Sequence, residues 1–150
     1  MTSGQTVVRC YALICNDLDE VLISDEKQGE WTFTKFPGGG LEFGEGIKEC
    51  VQRELKEELN LECEVGELFY VNDFFQASAL HTNKQLIAFY FLVALNTRNN
   101  DYRTNYEVPI LDEGEKQRWV KIDELTEEMF TFPIDRLVVK KLIEKKSLNR

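Results

Sequence analysis

The chain is poor in the residues that build transition-metal sites and disulfide frameworks. It has one histidine, His81, and four cysteines, Cys10, Cys15, Cys50 and Cys63, no two of which form a C-x-x-C pair. With no cysteine close to His81 in sequence, a zinc site is not suggested, and neither is a set of structural disulfides. Three of the four cysteines lie in apolar segments, which predicts buried free thiols. Long apolar runs are missing as well. None approaches the ~20 residues that a membrane-spanning helix needs, and the opening Met1-Thr2-Ser3-Gly4 lacks the basic and then apolar character of a secretory signal. A soluble cytoplasmic protein is expected.

Basic charge is also in short supply. Lysine and arginine number 18 against 27 acidic residues, a formal net charge of −9. That argues against broad attachment to a nucleic-acid polymer or to an anionic membrane. It leaves a small phosphorylated substrate open, because divalent cations screen negative charge on both partners. At 150 residues and 43% hydrophobic composition, the chain suits one domain, residues 1–150, with a proper core.

The first half reads as strands joined by tight turns. Val7 to Ile14 is apolar and β-branched, Asn16-Asp17-Leu18-Asp19 is a turn cluster, and Val21-Leu22-Ile23 resumes a strand, together a hairpin. Trp31 to Phe36 leads into Pro37-Gly38-Gly39-Gly40, which breaks any regular element. Helical periodicity runs from Gly46 to Leu59. Two strand-like stretches follow, Leu68 to Phe75 and Gln85 to Leu95, and then a polar segment from Asn96 to Glu115 that reads as a long loop. Gln117 to Ile122 is a last strand, Asp123-Glu124-Leu125 a helical turn, and Pro133 opens a final helix through Lys145 with Leu137, Val138 and Leu142 inward.

The helix from Gly46 to Leu59 carries the chemistry. Ile47, Cys50, Val51, Leu55 and Leu59 form its apolar stripe, and Glu49, Gln52 and Lys56 its polar face. Glu54, Glu57 and Glu58, spaced i, i+3 and i+4, group at the margin of the stripe, where like charges repel by a few tenths of a kcal/mol per pair. A hard divalent cation with oxygen ligands relieves that repulsion. Taken alone, such an acidic run reads more readily as a solvated surface patch.

The residues upstream change that reading. Gly39 is followed after five residues by Glu45, and after seven more by Arg53-Glu54-Leu55-Lys56-Glu57-Glu58. This resembles the Nudix box, G-x5-E-x7-R-E-U-x-E-E-x-G-U with U aliphatic, at every specified position from Gly39 to Leu61 except one: Asn60 stands where the family has its last glycine. That position follows the helix end, and asparagine tolerates the left-handed conformation best after glycine. Trp31-x-Phe33 before Phe36-Pro37-Gly38-Gly39, and Trp119 to Leu125 near the end, look like the family's flanks.

The resemblance implies a Nudix-like α/β/α sandwich (α/β class, of the α+β type), with a mixed β-sheet between helices. It also implies hydrolysis of a diphosphate linkage by water attack at phosphorus, with Mg2+ or Mn2+ as cofactor. Glu54, Glu57 and Glu58 would bind the metal, with the Gly39 carbonyl as a further ligand, and Glu45 and Arg53 would hold the glycine loop to the helix. The catalytic candidates would be Glu58, Glu57 and Glu113: the general base is Glu58 itself or comes from the polar segment, where Glu113 is the first candidate and Glu115 and Glu107 follow. Phe33, Phe74, Phe75 and Lys35 stay unassigned, so the substrate-binding residues are unknown. The implied partner is a small nucleotide-type substrate, and homodimerisation is left open. Three other readings are weighed beside hydrolysis: a nucleotide-binding sensor of the same fold, an isoprenoid-diphosphate enzyme, and a metal-free acidic domain. The complete glutamate set favours the hydrolase over the first.

Overall fold

The structure is a computed structural model, and it describes residues 3–95, 102 and 106–148. It divides into two compact units, Met1–Leu13 with Pro37–Ala94, and Ile14–Phe36 with Leu95–Arg150. The described elements are strands and two α-helices, an α+β arrangement on a mixed β-sheet.

In the first unit, β1 (Gln5–Cys15) pairs antiparallel with β4 (Gly38–Gly40), in the register Arg9 to Gly40, Cys10 to Gly39 and Tyr11 to Gly38. On its other side β1 neighbours β6 (Lys84–Ala94), and β6 pairs antiparallel with β5 (Leu68–Val71). Helix α1 (Ile47–Leu59) packs on β4 and β6. The expected strand from Leu68 to Phe75 ends early because Asn72, only 6% exposed, takes over the role of a ladder residue. Its Nδ2 donates to the Phe74 and Leu86 carbonyls at 3.0 Å each, and its Oδ1 accepts from the Ala88 N–H at 2.8 Å. Phe74 and Phe75 beyond it are exposed.

The second unit holds the end of β1, paired at Cys15 to Val21 of β2 (Glu20–Gln28). The hairpin turn is the one expected, closed by Asn16, whose Oδ1 accepts from the Leu18 and Glu20 amides at 2.9 and 3.1 Å. β2 pairs antiparallel with β3 (Trp31–Lys35) and with β7 (Gly114–Lys121). β7 therefore starts three residues before the expected Gln117. Its first three residues are exposed and carry no apolar signal, and the register against β2 sets its extent. Of the rest of the expected loop, residues 96–101 and 103–105 lie outside the described residues. Short 3-10 turns at Ile122–Glu124 and Glu127–Met129 precede α2 (Pro133–Leu148). α2 buries Ile134, Val138, Val139 and Leu142, while Leu137, expected inside, is only half-buried. Phe130 stacks on Phe36 at 4.6 Å between ring centres, both fully buried.

Candidate active site

Helix α1 is preceded by its cap residue Gly46, whose N–H donates to the Glu49 carboxylate at 3.1 Å. Cys50, Val51, Leu55 and Leu59 are buried as the stripe predicts, and Ile47 at its start is half-buried. The helix closes on Asn60 in the left-handed conformation, φ 53° and ψ 33°, with the Leu61 N–H returning to the Leu55 carbonyl at 3.2 Å. The departure from the box at residue 60 is thus absorbed by asparagine, which tolerates this conformation.

β4 brings the glycine loop against α1. Gly38 has φ +148°, and a Cβ there would run into the Cys10 carbonyl oxygen and lie 2.7 Å from Tyr11 Cα. Glycine is required by both conformation and space. At Gly39 the neighbour is instead the Glu54 carboxylate, with Oε2 2.7 Å from where a Cβ would sit. The missing side chain is what lets this carboxylate approach the loop backbone.

Arg53 joins these parts. Its Nε and Nη2 donate to Glu45 Oε2 and Oε1 at 3.0 and 2.8 Å, a two-pronged pair, and Nη2 also donates to the Gly40 carbonyl at 3.0 Å. Nη1 reaches Glu54 Oε1 at 3.0 Å and Glu57 Oε2 at 3.2 Å, with Glu42 at 3.6 Å. The guanidinium beside Glu45 holds that carboxyl at about 2, with a further contribution from the Glu42 backbone. Arg53 is pushed up in turn, chiefly by the same bond. Behind this network Cys50 is fully buried, and its thiol donates to the Gly40 carbonyl at 3.5 Å.

Glu54 and Glu58 are half-buried, and Glu57 is exposed. One Glu58 carboxylate oxygen is sealed from solvent. Glu54, Glu57, Glu45 and Arg53 are brought together around the guanidinium. Among the described residues, no three acidic, histidine or cysteine side chains converge on one point suited to a metal ion. Instead, Glu54 and Glu57 lean on the Arg53 guanidinium, at 3.0 and 3.2 Å. As a donor set they still fit Mg2+ or Mn2+, being hard oxygen ligands without sulfur or imidazole. The close approach of the Glu54 carboxylate to Gly39, which a side chain at 39 would block, fits the same use.

Glu113 belongs to the second unit. Both its carboxylate oxygens accept from the Gly29 N–H, at 3.0 and 3.2 Å, and Lys27 lies 3.7 Å away, so it caps the β2–β3 turn. Glu107 is exposed and Glu115 sits in β7. Phe33 is buried against Trp31 and Phe132, and Lys35 is buried in a 3.0 Å pair with Glu26. His81 is an exposed loop residue.

Sequence reasoning missed a second charged cluster. Asp25, 2% exposed, accepts from Thr34 Oγ1 at 2.5 Å, Tyr106 Oη at 2.6 Å and Arg118 Nε at 2.8 Å. Its four residues are scattered along the chain, so no local spacing marks it. The one available sign is an aspartate continuing an apolar strand.

The family model described as NUDIX domain matches residues 5–142. The mouse protein 8-oxo-dGDP phosphatase NUDT18 is 43% identical over 68 residues, 43% of this chain. Those residues span about a fifth, 21%, of that relative's length. Among solved structures, a MutT from work on Aliivibrio salmonicida and Vibrio cholerae is 26% identical, with TM-score 0.65 over 93% of this chain and 98% of that one. The E. coli ORF135 protein, 18% identical, has TM-score 0.71 over 99% and 96%. MutT from Methanosarcina mazei, 21% identical, has TM-score 0.70 over 97% and 99%. The last two are similar in fold.

Proposed function

The chain belongs to the Nudix family, and from that premise we propose that it is a divalent-metal-dependent pyrophosphohydrolase, cleaving the diphosphate linkage of a small nucleoside-diphosphate-type substrate. The observation that carries this reading is the assembled box: one arginine ties Glu45, Glu54, Glu57 and the Gly40 carbonyl together. We read residues 1–150 as one Nudix domain, because the family match runs through both compact units.

Glu54, Glu57, Glu58 and the Gly39 carbonyl would hold Mg2+ or Mn2+. Such an ion, when bound, neutralises diphosphate charge and lowers the pKa of a coordinated water. Glu45 and Arg53 keep the glycine loop fixed against α1, so the Gly39 carbonyl and the helix carboxylates stay in register. Glu58, half-buried on the helix, is our first choice of general base for the attacking water, beside Glu57. Glu113 is the second choice, and acting as base would require it to leave the Gly29 amide. Among the described residues no helix is long and apolar enough to cross a membrane. The four free thiols suit a reducing cytoplasmic setting.

The test is a substrate panel with Mg2+ or Mn2+, run on wild type, Glu57→Gln, Glu58→Gln and Glu113→Gln. Purine nucleoside diphosphates and triphosphates come first, since the mouse relative is named for 8-oxo-dGDP. Metal-dependent release of a mononucleotide, reduced about 100-fold or more in Glu58→Gln and much less in Glu113→Gln, is expected. Nucleotide binding without turnover of any substrate would replace this reading with a sensor domain.

A further inference from the structure

In the second unit a pocket of about 420 Å3 is lined by Asp25, Phe33, Ile110, Arg118, Glu128 and Met129, among others. That volume falls in the range of small-molecule sites. Its walls are apolar at Phe33, Val108, Pro109, Ile110 and Met129. The Phe33 ring is fixed in orientation by Trp31 and Phe132, with ring centres 4.6 and 5.5 Å away. The charged lining has three carboxylates, Asp25, Glu26 and Glu128, and one guanidinium, Arg118. Lys35 already pairs with Glu26 at 3.0 Å. Asp25 is paired with Arg118 and Glu26 with Lys35, so the excess negative charge of the lining rests on Glu128, which disfavours an anion and suits a flat ring that offers N–H donors.

Part of the wall is not a strand. Val108, Pro109 and Ile110 follow Tyr106, whose hydroxyl donates to Asp25 at 2.6 Å, while Lys116 Nζ lies 5.5 Å from the Tyr106 ring centre. The other donors to Asp25 come from strands flanking β2: Thr34 from β3 and Arg118 from β7. They keep the carboxylate satisfied whether or not Tyr106 is present. The tyrosine bond therefore adds little to holding the strands and much to holding the segment that carries Val108 to Ile110.

We propose that Tyr106 is a specificity-setting latch. Its bond to Asp25 pins Val108–Ile110 as one wall of a pocket for a flat, donor-bearing heteroaromatic ring. The identification of that ring as the group attached to the diphosphate rests on the hydrolase reading; the latch and the pocket do not. Tyr106 acts through the wall, so it is a positioning residue.

The experiment titrates the full chain, without metal, with guanosine and with orotidine, whose ring bears a carboxylate, following intrinsic tryptophan fluorescence through Trp31 beside Phe33. Wild type should bind guanosine saturably and orotidine at least tenfold more weakly. Tyr106→Phe should bind guanosine about tenfold more weakly than wild type, the scale of one lost hydrogen bond to a charged group, with melting within a few degrees of wild type. Val108→Ala, at a half-exposed position touching none of these hydrogen bonds, should weaken guanosine a few-fold and guards against a folding defect in the first variant. With an active substrate, Tyr106→Phe should raise KM about tenfold and leave kcat unchanged. Equal guanosine binding by wild type and Tyr106→Phe, orotidine binding as tight as guanosine, or a fall in kcat at constant KM would each overturn the proposal. A chain that binds guanosine through Tyr106 and hydrolyses no diphosphate sinks the proposed activity and leaves the latch standing; hydrolysis without guanosine binding does the reverse.

Discussion

Two adjacent glycines in β4 should respond to the same added methyl group in opposite ways. At Gly38, φ is +148° and a Cβ meets backbone, the Cys10 carbonyl oxygen and Tyr11 Cα at 2.7 Å. Neither atom moves without opening the β1–β4 pairing at Tyr11 to Gly38 and Cys10 to Gly39. Overpacking costs about 1–3 kcal/mol, and holding a non-glycine residue at this φ adds about 1–3 kcal/mol. Gly38→Ala should therefore lose about 4 kcal/mol and, at ~2–4 °C per kcal/mol for a chain of this size, melt about 8–16 °C lower. At Gly39 the methyl meets only the far end of the Glu54 side chain, which can rotate away. The folding cost of Gly39→Ala should stay within about 1 kcal/mol, but the displaced carboxylate leaves Arg53 Nη1, now 3.0 Å away, and the space beside the Gly39 carbonyl is filled. Scanning calorimetry with Mn2+ binding followed by electron paramagnetic resonance separates the two. The expected result is low stability for Gly38→Ala, and near-normal stability with Mn2+ binding weakened tenfold or more for Gly39→Ala. If Gly39→Ala binds Mn2+ as wild type does, the assignment of Gly39 and Glu54 to the metal fails. If Gly38→Ala melts within 3 °C of wild type, the steric argument fails.

Asn60→Gly should leave stability within about 1 kcal/mol of wild type and activity unchanged, because relief of the left-handed strain is set against a freer unfolded chain; a melting drop of several degrees in calorimetry would contradict the cap reading. Glu45, held at about 2 from an ordinary value of 4.5, is a depressed carboxyl, so its stabilisation is complete above pH 4.5 and is lost as pH falls through 2. Urea titrations of wild type and Glu45→Gln should thus differ most above pH 4.5 and converge near pH 2; a gap that widens on acidification would refute the Arg53 pairing. Cys10 and Cys50 are fully buried, and burial pushes Cys15 up to about 11, so iodoacetamide at pH 8 should label the folded chain slowly at Cys15 and not at all at Cys10 or Cys50. Mass spectrometry showing early modification of Cys50 would mean that α1 opens away from β4.

What could be read from the sequence was whatever is encoded within one helix or one tight turn. The α1 stripe and the Asn60 cap depend on contacts three or four residues apart, and the chain shows them as expected. Arg53 and Glu45, eight residues apart across the start of the helix, were reachable only because the box fixes that spacing, and the structure pairs them at 2.8 and 3.0 Å. Strand limits were less legible. β7 is extended by its register with β2, not by its own apolar residues, and β5 is cut short by a side chain, Asn72, that satisfies backbone groups on two segments. The Asp25 cluster was beyond reach, because Thr34, Tyr106 and Arg118 meet it only through the pairing of three strands and the return of a distant segment. Its place argues for its use. A carboxylate 2% exposed costs several kcal/mol to bury unless it is fully paired, and three donors from three separate parts of the chain supply that pairing. Two of them belong to neighbouring strands and give each carboxylate oxygen one donor of its own. The third fixes a wall of a pocket, and that is where a requirement beyond folding shows itself.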